Sequence, residues 1–173
     1  KVGTEEHWVS YGKEGKVVEF RRNGNVCEEE TNGLASKMSA KFGTSWIRGL
    51  VQVKVGTEEH WVGYGNSGQA FEFRRDGKGW APVTDGLALQ ISVKHGLFEI
   101  EGLTRIKVGT EEHWVSYGNN GKAFEFRRNG NVWEEVKNGL AVQMSAKHAT
   151  SWILGLTRIK VGTEEHWVSY GDE

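Results

Sequence analysis

The chain has 173 residues, with 22 Lys and Arg against 23 Asp and Glu, 24 Gly, 8 Trp, one Pro and one Cys. This length can bury a domain core without disulfide or metal staples, and a formal charge of -1 disfavours nucleic acid as a partner, because polyanion binders carry a basic excess. The lone Cys27 excludes an internal disulfide and a Cys-based zinc site. No apolar run approaches the roughly 20 residues of a spanning helix, and the first residues lack a basic-then-apolar signal pattern. A soluble chain without membrane insertion is therefore expected, its compartment open with the secreted, extracellular side favoured.

The nonapeptide Lys-Val-Gly-Thr-Glu-Glu-His-Trp-Val begins at Lys1, Lys54, Lys107 and Lys160, in steps of 53 residues. Self-similarity at such a period marks a repeat architecture. The expected organisation is one repeat domain over 1–173, with units 1–53, 54–106 and 107–159 and a partial fourth copy at 160–173. Lys160 to Gly171 is identical to Lys1 to Gly12. Either each unit draws a finishing strand from the next segment, or the terminal copies pair between chains.

Within a unit, the segment from Thr4 to Tyr11 and its copies comes first, then the E-F-R-R segment, where Phe124 and Phe126 alternate with Glu125 and Arg127. Ile106 and Val108 flank Lys107 in the same way. Alternation of this kind is the period of a half-buried strand. Asn119-Asn120-Gly121 and Asn129-Gly130-Asn131 supply turns tolerant of positive φ. After each Gly-Leu-Ala, Leu34, Met38 and Phe42 suit a helix face, but Leu87, Leu89, Ile91 and Val93 alternate, so a strand is expected in all three units and no helix is required. The expected fold is all-β: three tandem antiparallel β repeats with threefold pseudo-symmetry, as in a β-prism or trefoil. The alternative is propeller-like, completed by a homodimer with six blades.

Enzyme chemistry finds little support, and no catalytic residue is assigned. Ser10 becomes Gly63 in the second unit, only Asp76, Asp85 and Asp172 are available, and Glu5 and Glu6 point to opposite faces of a strand. The repeated His residues would have to converge to hold a metal, and an ordinary hydrogen-bonded strand His is favoured, so no metal or cofactor is expected. Arg21 and Glu19, like Arg74 and Glu72, share a strand face and suit surface ion pairs.

A binding module suits the repeats better. A sugar needs an apolar surface for its C–H face beside fixed donors and acceptors for its hydroxyls. One face of the repeated strand offers both: Glu5, His7, Val9 and Tyr11, with Glu58, His60, Val62 and Tyr64, then Glu111, His113, Val115 and Tyr117, and finally Glu164, His166, Val168 and Tyr170. The competing assignment puts Val9 and Tyr11 in the core, with Trp8 capping the surface. Comparison of the units adds that Cys27 stands where Trp80 and Trp133 stand, and Glu99 where Trp46 and Trp152 stand. The Trp46 position is thus expected to be partly exposed, and the invariant Trp8 position to be core.

The strand H-x-V-x-Y at His7, Val9 and Tyr11 resembles the end of the Q-x-D-x-N-x-V-x-Y mannose-binding motif of monocot-type lectins, with Gly3, Glu5 and His7 in place of Gln, Asp and Asn. The tandem organisation is similar to that of algal high-mannose-binding lectins. Ile106 to Gly109, Trp114-Val115, Val132 to Val136 and Asn138 to Leu140 resemble tectonin propeller lectins, leaving Leu140 to Leu156 without a counterpart. These resemblances imply a non-enzymatic, multivalent lectin and agglutinin for mannose-type glycans or glycoproteins, with one site per repeat. The alternatives are a structural or adhesive repeat protein joined through β edges, and an enzyme or inhibitor acting through a single nonrepeated site near Pro82 and Glu99 in the divergent middle unit.

Overall fold

The structure is a computed structural model and describes residues 5–77 and 79–172. Gly3 and Thr4, at the start of the first repeated segment, lie outside the described residues. Strands dominate, as the alternation requires. The first sheet contains β1 (His7–Tyr11), β2 (Val17–Asn23) and β3 (Val26–Glu29), followed by helix α1 (Leu34–Phe42). The second is β4 (Ile47–Val55), β5 (Glu58–Gly65), β6 (Ala70–Asp76) and β7 (Gly79–Val83), followed by α2 (Leu87–His95). The third is β8 (Ile100–Val108), β9 (Glu111–Gly118), β10 (Ala123–Asn129) and β11 (Val132–Glu135), followed by α3 (Leu140–His148). The pair β12 (Ile153–Val161) and β13 (Glu164–Gly171) forms the fourth.

Every sheet is an antiparallel meander in chain order. Its boundaries are out of phase with the sequence units: β4 runs from the end of the first unit across Lys54 into the second. This offset explains the fourth copy of the motif. Lys160 and Val161 finish β12, and the rest of the copy forms β13, which pairs with β12 in the same chain. A one-residue irregularity at Arg48, Glu101 and Leu154 precedes Gly49, Gly102 and Gly155 in the first strand of each pair. A Cβ on any of these glycines would collide with the ring of Tyr64, Tyr117 or Tyr170 on the neighbouring strand.

The three helices correct the expectation of strands after Gly-Leu-Ala. Leu34, Met38 and Phe42 face inward at helical spacing, as do Leu87, Ile91 and His95, whereas Leu89 and Val93 are exposed. The alternation of the second unit arose because two apolar residues sit on the solvent side of α2. Each helix begins at Gly33, Gly86 or Gly139, which has no side chain to cap it. The cap comes instead from β2, β6 and β10: Ala35, Ala88 and Ala141 donate their backbone N–H to Glu19, Glu72 and Glu125 at 3.1, 3.1 and 3.3 Å. A carboxyl there satisfies an otherwise orphaned amide. A Cβ on any of the three glycines would run into that carboxyl group.

The sheets stack face to face in chain order, joined by three apolar clusters. Val62, Tyr64 and Ala70 on one face of the second sheet, with α2, meet Trp114, Phe126 and Trp133 of the third. Val17 and α1 meet Phe73 and Trp80 of the second sheet in the same manner. Both faces of an interior sheet are therefore covered, which places aromatic side chains of one unit against the Val-x-Tyr face of the unit before it.

Candidate functional site

The most ordered polar feature is a histidine held between two carboxyl groups, built three times. Strand pairing sets His60 beside β6, and its ring nitrogens lie 2.5 Å from Glu72 Oε1 and 3.2 Å from Glu58 Oε2. His113 lies 2.6 Å from Glu125 and 3.2 Å from Glu111. His7 lies 2.7 Å from Glu19 and 3.3 Å from Glu5. Burial opposes protonation of His60, but the hydrogen bonds and charges of Glu72 and Glu58 outweigh it and raise its pKa. The same His60 contact, with Arg74 and Arg128 nearby, holds Glu58 below the usual carboxylate range.

Glu19, Glu72 and Glu125 are buried. They are therefore not the surface partners of Arg21 and Arg74 expected from their shared strand face. A carboxyl that both caps a helix and meets a histidine is drawn inward, and the arginines pair elsewhere. Arg21 lies 3.6 Å from Glu28, Arg74 3.4 Å from Glu58, and Arg127 3.6 Å from Glu111.

The expected shelf is not presented to solvent as a unit. Val62 and Val115 are fully buried, and Tyr64 and Tyr117 are core residues whose phenols are pushed to higher pKa by burial. The reason is the stacking of the next sheet on this face. His60 and His113 are buried with them, and Glu58 and Glu111 remain at the open rim. In the terminal copies the face is more open: Tyr11 is 44%, Val168 40% and Tyr170 56% exposed. Val9 is half-buried, Glu5 and Glu164 are exposed, and His166 approaches only Glu164, at 3.6 Å.

A cavity of about 350 Å³ opens at the rim between the second and third sheets. Glu58 and His60 line it, joined by residues the sequence did not single out as one site: Glu72, Arg74 and Asp85 from the second sheet and its following loop, and Arg128 and Trp133 from the third. Pro82 and Val83 add apolar surface. Pro82 replaces the Glu29 and Glu135 of the other units, and its divergence was the available signal. Arg128 donates from Nε to the Gly130 carbonyl at 2.8 Å and from Nη2 to Asn131 Oδ1 at 3.4 Å. Its Nη1 is shielded from solvent and has no partner among the described residues.

The remaining tryptophans correct and extend the repeat map. Trp80 and Trp133 are buried, Trp8 is 46% exposed and Trp114 is core, so burial at the invariant position depends on whether another sheet covers it. Trp46 is half-buried beneath Lys13 and Arg48, with the cations 4.5 and 5.5 Å from its ring, and Trp152 is exposed. Glu99, at the same repeat position, pairs with Arg48 at 2.9 Å. Among the described residues, no helix is long and apolar enough to cross a membrane, and no group of three or more His, Cys, Asp or Glu is placed to hold a metal ion.

Fold and site together define an all-β repeat chain with polar, tryptophan-edged grooves where its sheets meet. No family model matches the chain, and no curated protein matches it. Among solved structures it is similar to a fucose lectin from Kordia zhangzhouensis in complex with methyl-fucoside, at 18% identity over 78% of this chain and 92% of that one, with a TM-score of 0.42.

Proposed function

We propose that the chain is a non-enzymatic carbohydrate-binding protein that takes a sugar in the groove between successive sheets, with mannose-type glycans the first candidates. The observation that carries this reading is the unpartnered, shielded Nη1 of Arg128 at the wall of a cavity sized for a small ligand. A buried donor left without an acceptor is costly, and a sugar hydroxyl would satisfy it. Glu58 and Asp85 supply acceptors, Arg74 supplies further donors, and Pro82, Val83 and Trp133 provide apolar surface for the C–H face of a pyranose. This relocates the site from the strand face to its rim: of the residues on that face, Glu58 and His60 contribute, while Val62 and Tyr64 support them from the core. Equivalent residues at other sheet junctions would add sites, and bridging glycans would gain from their multiplicity.

A glycan array followed by titration calorimetry tests the proposal. Binding of at least one sugar is expected, weakened about 10-fold or more in Arg128→Ala, as for loss of a charged hydrogen bond. No sugar bound at millimolar concentration, or binding unaffected by Arg128→Ala, would remove it.

A further inference from the structure

Among the described residues, the first and last sheets have three and two strands, in complementary positions. Measured against the four-stranded sheets, β1, β2 and β3 occupy the second, third and fourth positions, and β12 and β13 the first and second. The second position is thus present twice, in strands drawn from identical sequence. β13 pairs with β12 and presents its other edge without a partner strand among the described residues. His166 lacks the buried carboxyl partner that His7, His60 and His113 each possess. Phe20, Val168 and Tyr170 are exposed, although the same positions in the third sheet, Phe126, Val115 and Tyr117, are core.

We propose that two copies of this chain complete one another by reciprocal strand exchange: the β12–β13 hairpin of one copy replaces β1 in the first sheet of the other. In the register of β1 with β2, Ser169 would lie opposite Val18 of the second copy and Trp167 opposite its Phe20. His166 would take the place of His7 on Glu19. Every contact that β1 gives up is restored by an identical residue of β13, and β12 adds an inner strand that the first sheet does not have among the described residues. Gly155 already accommodates the Tyr170 ring, so the hairpin arrives with that packing intact. Phe20 would then join Trp167 against the third sheet of the first copy, as Phe126 and Trp114 join against the second. Each chain would supply the equivalent of three full sheets. Closed stacks of such sheets contain about four to eight, and six is the multiple of three within that range. Reciprocal exchange between two copies therefore gives a closed dimer and leaves no edge open to further addition.

The assembly is independent of any sugar, so its failure and that of the carbohydrate proposal are distinguishable. Light scattering of the 173-residue chain without sugar should return twice the 19.4 kDa of one copy. Val168→Asp changes a residue exposed in the single chain, so folding should persist, but it buries a carboxyl in the exchanged sheet and should weaken dimerisation about 100-fold or more. Val9→Asp should leave the dimer intact, because β1 is displaced. In a Cys27→Ser background, Ser169→Cys combined with Val18→Cys should yield a covalent dimer on mild oxidation. A wild-type monomer at 100 times working micromolar concentrations, equal weakening by Val9→Asp and Val168→Asp, or no covalent dimer would each overturn the proposal.

Discussion

His95 makes the middle of the molecule sensitive to acid, and the equivalent pair one repeat earlier shows how to remove that sensitivity. The His95 ring is buried against Phe124, edge to face at 5.0 Å, and its Nε2 lies 3.0 Å from Ser116 Oγ. Its Nδ1 has no hydrogen-bond partner among the described residues. Burial lowers its pKa from 6.5 to about 4. Fifty-three residues earlier the same places hold Phe42 and Gly63, and Phe42 packs edge to face on Phe71 at 4.9 Å. A Cβ on Gly63 would sit 2.9 Å from Met38 Sδ and 3.1 Å from Phe42; the larger aromatic environment and the missing serine belong together.

The perturbation is therefore the pair His95→Phe and Ser116→Gly, which copies the Phe42 and Gly63 pair to its place one repeat further on. An unfolded chain binds a proton at this histidine as pH falls below 6.5, whereas the folded chain resists until about 4. The associated stability is complete above the ordinary value, is lost as pH falls through this window, and changes little below it. At about 1.4 kcal/mol per pH unit, the total is on the order of 3 kcal/mol. Urea denaturation of both proteins at pH 7, 5.5 and 4 isolates this contribution, because groups common to both cancel in the difference. The double variant should gain about 3 kcal/mol relative to wild type between pH 7 and 4. A difference constant within about 1 kcal/mol would refute burial of a neutral His95 as the cause.

Ala149 has φ +55 at the end of α3, where Gly43 and Gly96 take φ +59 and +63 at the ends of α1 and α2. Ala149→Gly should stabilise the chain by about 1 kcal/mol and raise its thermal midpoint by a few degrees, because the strained conformation costs glycine little. His60 gives the opposite pH trend from His95: its pKa is raised in the folded chain, so its stabilisation is present below the ordinary 6.5 and declines as pH rises through the folded value. Glu72→Gln keeps an acceptor near α2 but removes one carboxylate from His60, so NMR titration should show the His60 pKa falling, with a smaller loss of stability at high pH.

The repeats, their turns and their strands were legible because they depend on local periodicity. The helices were obscured because their starts lack the usual local signal: Gly86 has no side chain, and the capping carboxyl of Glu72 comes from a neighbouring strand. Leu89 and Val93 then supplied a false two-residue alternation while lying on the exposed side of a helix. The site shows the same division. Alternation correctly puts Glu58, His60, Val62 and Tyr64 on one face, but it cannot determine what stacks on that face. Trp114 and Phe126 come from the next sheet to cover it, leaving Glu58 at the rim. Arg128 belongs to that next sheet as well, so the cavity it completes had no contiguous sequence signature.

Differences among the units become intelligible when compared by neighbour as well as by position. Trp80 and Trp133 are buried where a preceding sheet covers them, whereas Cys27 lies on the first sheet and is exposed. In the exchanged dimer, Cys27 would face the third sheet of the other copy, at the place Trp133 occupies against the second. A thiol there fills far less volume than an indole, so the groove bounded by Glu111 and His113 at the seam would be wider than the one bounded by Glu58 and His60. The repeated carboxylates and histidines would then present similar polar chemistry beside unequal apolar walls. Strand exchange would thus create grooves of two shapes from nearly identical repeats, with Cys27 of the partner copy adding to the difference that Pro82 and Glu135 set within the chain.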